Sequence, residues 1–163
     1  MSFERFHEAQ ASPSAGYDMA LSEIRRGRKT SHWIWYIFPQ LDGLGRSSTA
    51  RAYALRDLAE ACAYLRDPLL RAHYEEIAGA VREQLARGHS LEHLMGSSTD
   101  ALKLASSLTL FRAAAQSLAR ENSIFDTLAQ CCDSILGQTA AQGYPPCAQT
   151  LTRVTAQPTG SAI

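Results

Sequence analysis

A handful of polar side chains interrupt the most apolar stretches of this 163-residue sequence: His32, Gln40, Arg46, Lys103, Ser106, Ser107 and Thr109. A polar group inside an apolar run must be hydrogen-bonded when buried, either within the chain or to a ligand. Three of them flank Trp33-Ile34-Trp35-Tyr36-Ile37-Phe38, which holds both tryptophans of the protein. Aromatic walls with a few convergent polar groups suit a small-molecule site, and they suit a core equally well. The second group lies on one helix, where Lys103 stands one turn from Ser106 and Ser107. Such a lysine can activate a serine nucleophile, or hold a phosphate by point charge while the hydroxyls bond its oxygens. The plainer arrangement has Lys103 reaching solvent and the serines bonding back to their own helix.

These residues support an expectation of an anionic small-molecule ligand, such as a nucleotide or sugar phosphate, with hydrolysis or group transfer as possible chemistry. His32 is the candidate general acid/base, because an imidazole titrates near neutrality. Arg46 and Lys103 are the expected anion holders, one as a planar fork and the other as a point charge. Trp33 or Trp35 would stack on the ligand, and Gln40, Ser106 and Ser107 would orient it. A different class of function is a protein-interaction module, with Trp33, Trp35 and Tyr36 forming an exposed patch. In a third reading the same residues lock helices together through buried polar bonds.

Common motifs are missing. Gly43-Leu44-Gly45 lacks the Lys-Ser/Thr pair of a phosphate-binding loop. The histidines are dispersed, and no paired-cysteine spacing or HExxH run suggests a metal. His89 and His93 are four apart, but Gly88 and Ser90 point to a turn there. No cofactor and no metal are expected. Cys62, Cys131, Cys132 and Cys147 read as reduced thiols in a cytoplasmic protein, the adjacent pair included.

Sixteen basic residues balance sixteen acidic ones, so the chain lacks the positive footprint of a nucleic-acid binder. The local run Arg25-Arg26-Gly27-Arg28-Lys29 reads as a solvated helix end or an anion-steering edge. No apolar run approaches the ~18–20 residues of a membrane span. The charged start, Met1-Ser2-Phe3-Glu4-Arg5, is unlike a secretory leader.

The elements that must position these groups are helices. Tyr17, Ala20, Leu21 and Ile24 repeat with helical spacing, and Gly27 ends the pattern. Pro39 closes the aromatic stretch. Ser47 or Ser48, Asp57, Asp67 before Pro68, Ser90, the run Ser97 to Asp100, and Asn122 are helix-start signals. The spacing predicts a helix from Ala101 to about Leu118 and a later one ending at Gly137. The expected architecture is all-α: one compact domain over residues 1–150, about seven short to medium helices, and no significant sheet. Residues 151–163 are expected to form a flexible tail, in which Leu151 and Val154 would serve either a dimer or the core.

The chain resembles the domain of unknown function 1810 family of small, mostly bacterial proteins. The resemblance rests on Gly27-Arg28-Lys29, Ser31-His32-Trp33, Phe38-Pro39-Gln40 with Gly43-Leu44-Gly45-Arg46-Ser47-Ser48, Tyr53, Glu60-Ala61, Tyr64-Leu65, and Leu102-Lys103-Leu104 followed by Ser106-Ser107 and Thr109-Leu110-Phe111. It spans residues 3–136 and implies a mainly helical single domain with no established activity. Two departures stand out. Leu70 occupies a position where the family usually has glycine, and the segment after Gly137 lacks the family's Gly-Gly turn and Asp-containing helix start.

Overall fold

The computed structural model describes residues 2–156. Ten α-helices follow one another among these residues: α1 Glu4–Gln10, α2 Tyr17–Arg25, α3 Ile34–Ile37, α4 Ser48–Tyr53, α5 Leu58–Arg66, α6 Pro68–Ala86, α7 Leu91–Met95, α8 Ser98–Ala119, α9 Asp126–Ala141 and α10 Ala148–Ala156. A 3-10 turn, Ser123–Phe125, leads into α9. The described residues form no strand, and a single parallel bridge joins Leu41 to Leu55. The all-α expectation holds, with seven of the ten helices at least seven residues long.

Five of the ten α-helix starts are set by side chains that satisfy otherwise orphaned amides. Ser47 accepts from the Ala50 amide, Ser90 from His93 and Ser97 from Asp100. Asp67 accepts from both Leu69 and Leu70, ahead of Pro68 at the first helical position. Asp57 bonds the Glu60 amide while the Glu60 carboxylate reaches back to the Arg56 amide, so the expected capping box closes one residue further out than usual.

Helix α8 is the axis of the fold. Leu104 to Phe111 are buried without interruption, the sign of a helix enclosed on all sides rather than laid on a surface. Helices α5 and α9 pack along it, and α3, α7 and α10 also touch it. Tyr64, Tyr74 and Phe111 meet at its centre, with ring centroids 4.4 Å apart for Tyr74 and Phe111.

Three local expectations are corrected. Gly137 lies inside α9, which continues to Ala141, because Thr139 stays buried beyond it. Lys29 is not part of a solvated edge but is buried. Residues 151–156, expected in the tail, belong to α10, and the remainder of that tail lies outside the described residues.

Candidate functional site

The motif around Trp33 is organised by a buried acid. Glu23, on α2, accepts from the Thr30 and Ser31 amides at 2.8 and 2.9 Å, the Ser31 hydroxyl at 2.6 Å and the Trp33 indole N–H at 2.9 Å. Burial pushes its carboxyl up, but the Ser31 hydroxyl and these N–H donors outweigh that and hold the pKa at about 2. Lys29 lies against the same indole, 4.9 Å from the ring centroid. Its ammonium donates to the Ser31 carbonyl at 2.6 Å and pairs with Asp100 at 2.8 Å. The loop after α2 is thereby pinned to the start of α8. Trp33 is wholly buried and its N–H is spent on Glu23, so it belongs to the core and reaches no ligand. Ser107 is also wholly buried, with its hydroxyl 2.8 Å from that of Tyr74.

Lys103, Ser106 and Gln40 do come together. They line a cleft of about 500 Å³, bounded by the loop that carries Gln40 and Leu44, the first turns of α8, and the segment Pro145 to Gln149. Ser106 faces this cleft while Ser107, next to it, faces the core, as the 100° step of a helix requires. Lys103 sits over the Trp35 ring, 5.3 Å from its centroid. Asp100 is nearby, at 4.0 Å, but its other oxygen makes the closer pair with Lys29. The ammonium of Lys103 is therefore positioned by an aromatic face and only weakly neutralised. A smaller void of about 10 Å³, behind the cleft, is lined by Trp35, Gln40 and Lys103 together with Tyr53.

The other expected site residues lie elsewhere. His32 is exposed just before α3 and lines neither cavity, and Arg46 is exposed before α4 and lines neither. Trp35 and Tyr36 are half-buried. The Tyr36 hydroxyl donates to the Ala15 carbonyl at 2.6 Å, so no flat aromatic patch forms with Trp33.

Cys147 is the cleft residue that sequence reasoning missed. It precedes α10, its amide donates to the Thr109 hydroxyl at 3.0 Å, and its carbonyl accepts from Leu151 at 2.9 Å. The available signal was its position directly after Pro145-Pro146, where a helix is free to start. Helix α10 is held across the cleft by Arg153, which donates to the carbonyls of Asp42 at 2.6 Å and Arg56 at 2.7 Å.

The model of a protein family of unknown function, DUF1810, matches residues 1–140. The chain belongs to this family. The crystal structure of the conserved hypothetical protein Rv1873 from Mycobacterium tuberculosis is similar to it at 36% identity, over 91% of this chain and 93% of that one, with a TM-score of 0.75. No curated protein matches. Within the DUF1810 match lie Gln40, Lys103 and Ser106; Cys147 and α10, which complete the cleft, lie beyond it.

Proposed function

We propose that this DUF1810 protein binds a small anionic molecule, of the kind of a nucleotide or sugar phosphate, in the cleft beside α8. The observation that carries this reading is Lys103: a half-buried ammonium held over Trp35, weakly neutralised, in the wall of a cavity of about 500 Å³. That volume falls in the range of ordinary ligand pockets, ~300–1,000 Å³. Gln40 and Ser106 supply donors and acceptors in the same lining as the cation. Leu44, Leu102 and Pro146 give the apolar surface a sugar or base would cover. His32 and Arg46 stand outside this pocket and take no part in the reading, so proton transfer by His32 is not proposed.

The test is a thermal-shift screen of the protein against nucleotides, sugar phosphates and ADP-ribose compounds, repeated on Lys103→Met, which keeps the aliphatic stem against Trp35. At least one anion should raise the melting temperature of the wild type. The variant should bind that anion about tenfold or more weakly, the loss of a charge-assisted contact of ~1.5–3 kcal/mol. No shift with any of these compounds, or equal shifts in both proteins, would remove the reading.

A further inference from the structure

The four cysteines fall into two environments. Cys62, Cys131 and Cys132 are buried in the core, and burial pushes the Cys62 thiol up to about 11 and also raises the other two. Cys147 is only partly buried and lines the cleft with Lys103 and Ser106. It stands at the start of α10, where unpaired amides and the helix dipole favour negative charge. Burial pushes its thiol up, but the hydroxyls of Thr150 and Ser106 and the amides of Thr150 and Gln149, all turned to the sulfur, outweigh that and lower its pKa.

Thr150 belongs to the same arrangement. This residue is wholly buried in the first turn of α10, and among the described residues the Cys147 sulfur is the group its hydroxyl turns to. A buried hydroxyl is nearly always satisfied. One turned to Cys147 has its proton available for negative charge on the sulfur or on an atom bound to it. Cavity, cation and thiol therefore converge on one wall of the molecule, with the Thr150 hydroxyl behind the sulfur.

We propose that Cys147 is a nucleophile of this cleft and forms a covalent adduct with an electrophilic carbon of a small anionic molecule held by Lys103. This rests on the anion-binding reading above and adds a reaction to it. The thiolate sulfur attacks the carbon with its lone pair, a sulfur–carbon bond forms, and the bond from that carbon to its leaving group breaks. The leaving group departs with the electron pair. The negative charge of the thiolate is thereby transferred to the leaving group, and no oxidant or reductant is needed. Lys103 serves as the binding residue for the anionic part, and Thr150 and Ser106 as positioning residues for the sulfur.

Two alkylating probes of the same size separate these roles, since iodoacetate is anionic and iodoacetamide is neutral. Both lose iodide to a thiolate. The intact protein, Lys103→Met and Cys147→Ser are treated at pH 7 and the modified residue is located by mass spectrometry. Serine is a good helix cap, so the last variant keeps its fold. Cys147 should be the residue modified, about tenfold faster than a free cysteine, as for a thiol of lowered pKa. Lys103→Met should slow iodoacetate about fivefold and leave iodoacetamide within about twofold. A rate no faster than free cysteine, or an equal effect of Lys103→Met on both probes, overturns the proposal. If either occurs while an anion still raises the melting temperature of Cys147→Ser, the nucleophile is wrong and the anion site stands. Fast alkylation dependent on Lys103, with no ligand-induced shift, would instead leave the nucleophile and remove the nucleotide or sugar phosphate.

Discussion

Glu23 carries a large consequence for a single residue, since four donors depend on one buried carboxylate. Glu23→Gln keeps the shape but replaces one acceptor oxygen by a donor facing other donors. It should cost about 3 kcal/mol in chemical denaturation, the range for breaking a buried charged network. The pH dependence has a definite sign. The folded pKa, about 2, lies below the unfolded carboxyl value near ~4.3. The unfolded chain therefore takes up the proton first as pH falls. Stability from Glu23 is complete above about pH 5 and is lost progressively toward pH 2. Asp67, also lowered, adds to the loss with the same sign: burial raises it, and the Leu70 amide and the His7 side chain outweigh that. Wild type should lose more stability than Glu23→Gln over that window in parallel urea titrations. The sequence made Trp33 conspicuous but not its partner. Glu23 reads as the polar face of α2, because nothing in the spacing reveals that the chain returns over that face at Thr30 and Ser31.

Among the elements, the short helix α7 depends on a glycine for a reason the sequence states only in part. Gly96 has φ +84°, and a Cβ there would lie 2.9 Å from the Lys29 carbonyl oxygen. Gly96→Ala should destabilise by about 2–3 kcal/mol, combining left-handed backbone strain with a contact against backbone that cannot move aside. Its effect should register in thermal denaturation, with a smaller loss for Asp67→Ala, about 1 kcal/mol for a missing cap. Caps were legible because a capping side chain and the amide it serves are neighbours in sequence, as at Ser47, Asp57, Asp67, Ser90 and Ser97. Helix ends fixed by distant packing were not. Gly137 has the composition of a terminus, yet Thr139 is buried and its hydroxyl donates to the Tyr144 carbonyl at 2.8 Å, which keeps α9 wound past it. Gly45 is a related case. The run Gly43-Leu44-Gly45 reads as glycine-rich backbone freedom, while a Cβ at Gly45 would meet the Ala50 side chain at 2.5 Å, a demand of close approach.

On the scale of the whole molecule, the cleft is an assembly of three chain segments, and that is why it was only half visible. Lys103 and Ser106 share a helix and were legible as a pair; Gln40 was legible as a polar group in an apolar run. Their convergence with Cys147 comes from α10 folding back over α8, which no local pattern encodes. Arg153 is the bolt of that arrangement, and it bonds two backbone carbonyls on the far side of the cleft. Arg153→Ala should leave the melting temperature within a few degrees, because the residue lies outside the hydrophobic core. Amide exchange in α10 should rise about tenfold or more, and anion affinity should fall with it. Equal protection of α10 in the variant would show that its packing against α8 holds it without the clamp.

The separations spanned by those two hydrogen bonds, 111 and 97 residues, bear on how the chain is made. Helix α10 is the last of the described helices, so its residues leave the ribosome after those of the core-building helices. The contacts of α8 with α5 and with α9 involve none of the residues of α10. A ribosome-bound chain can therefore form its core while the cleft still lacks a wall. The pocket wall and Cys147 are thus synthesised after the core they lean on.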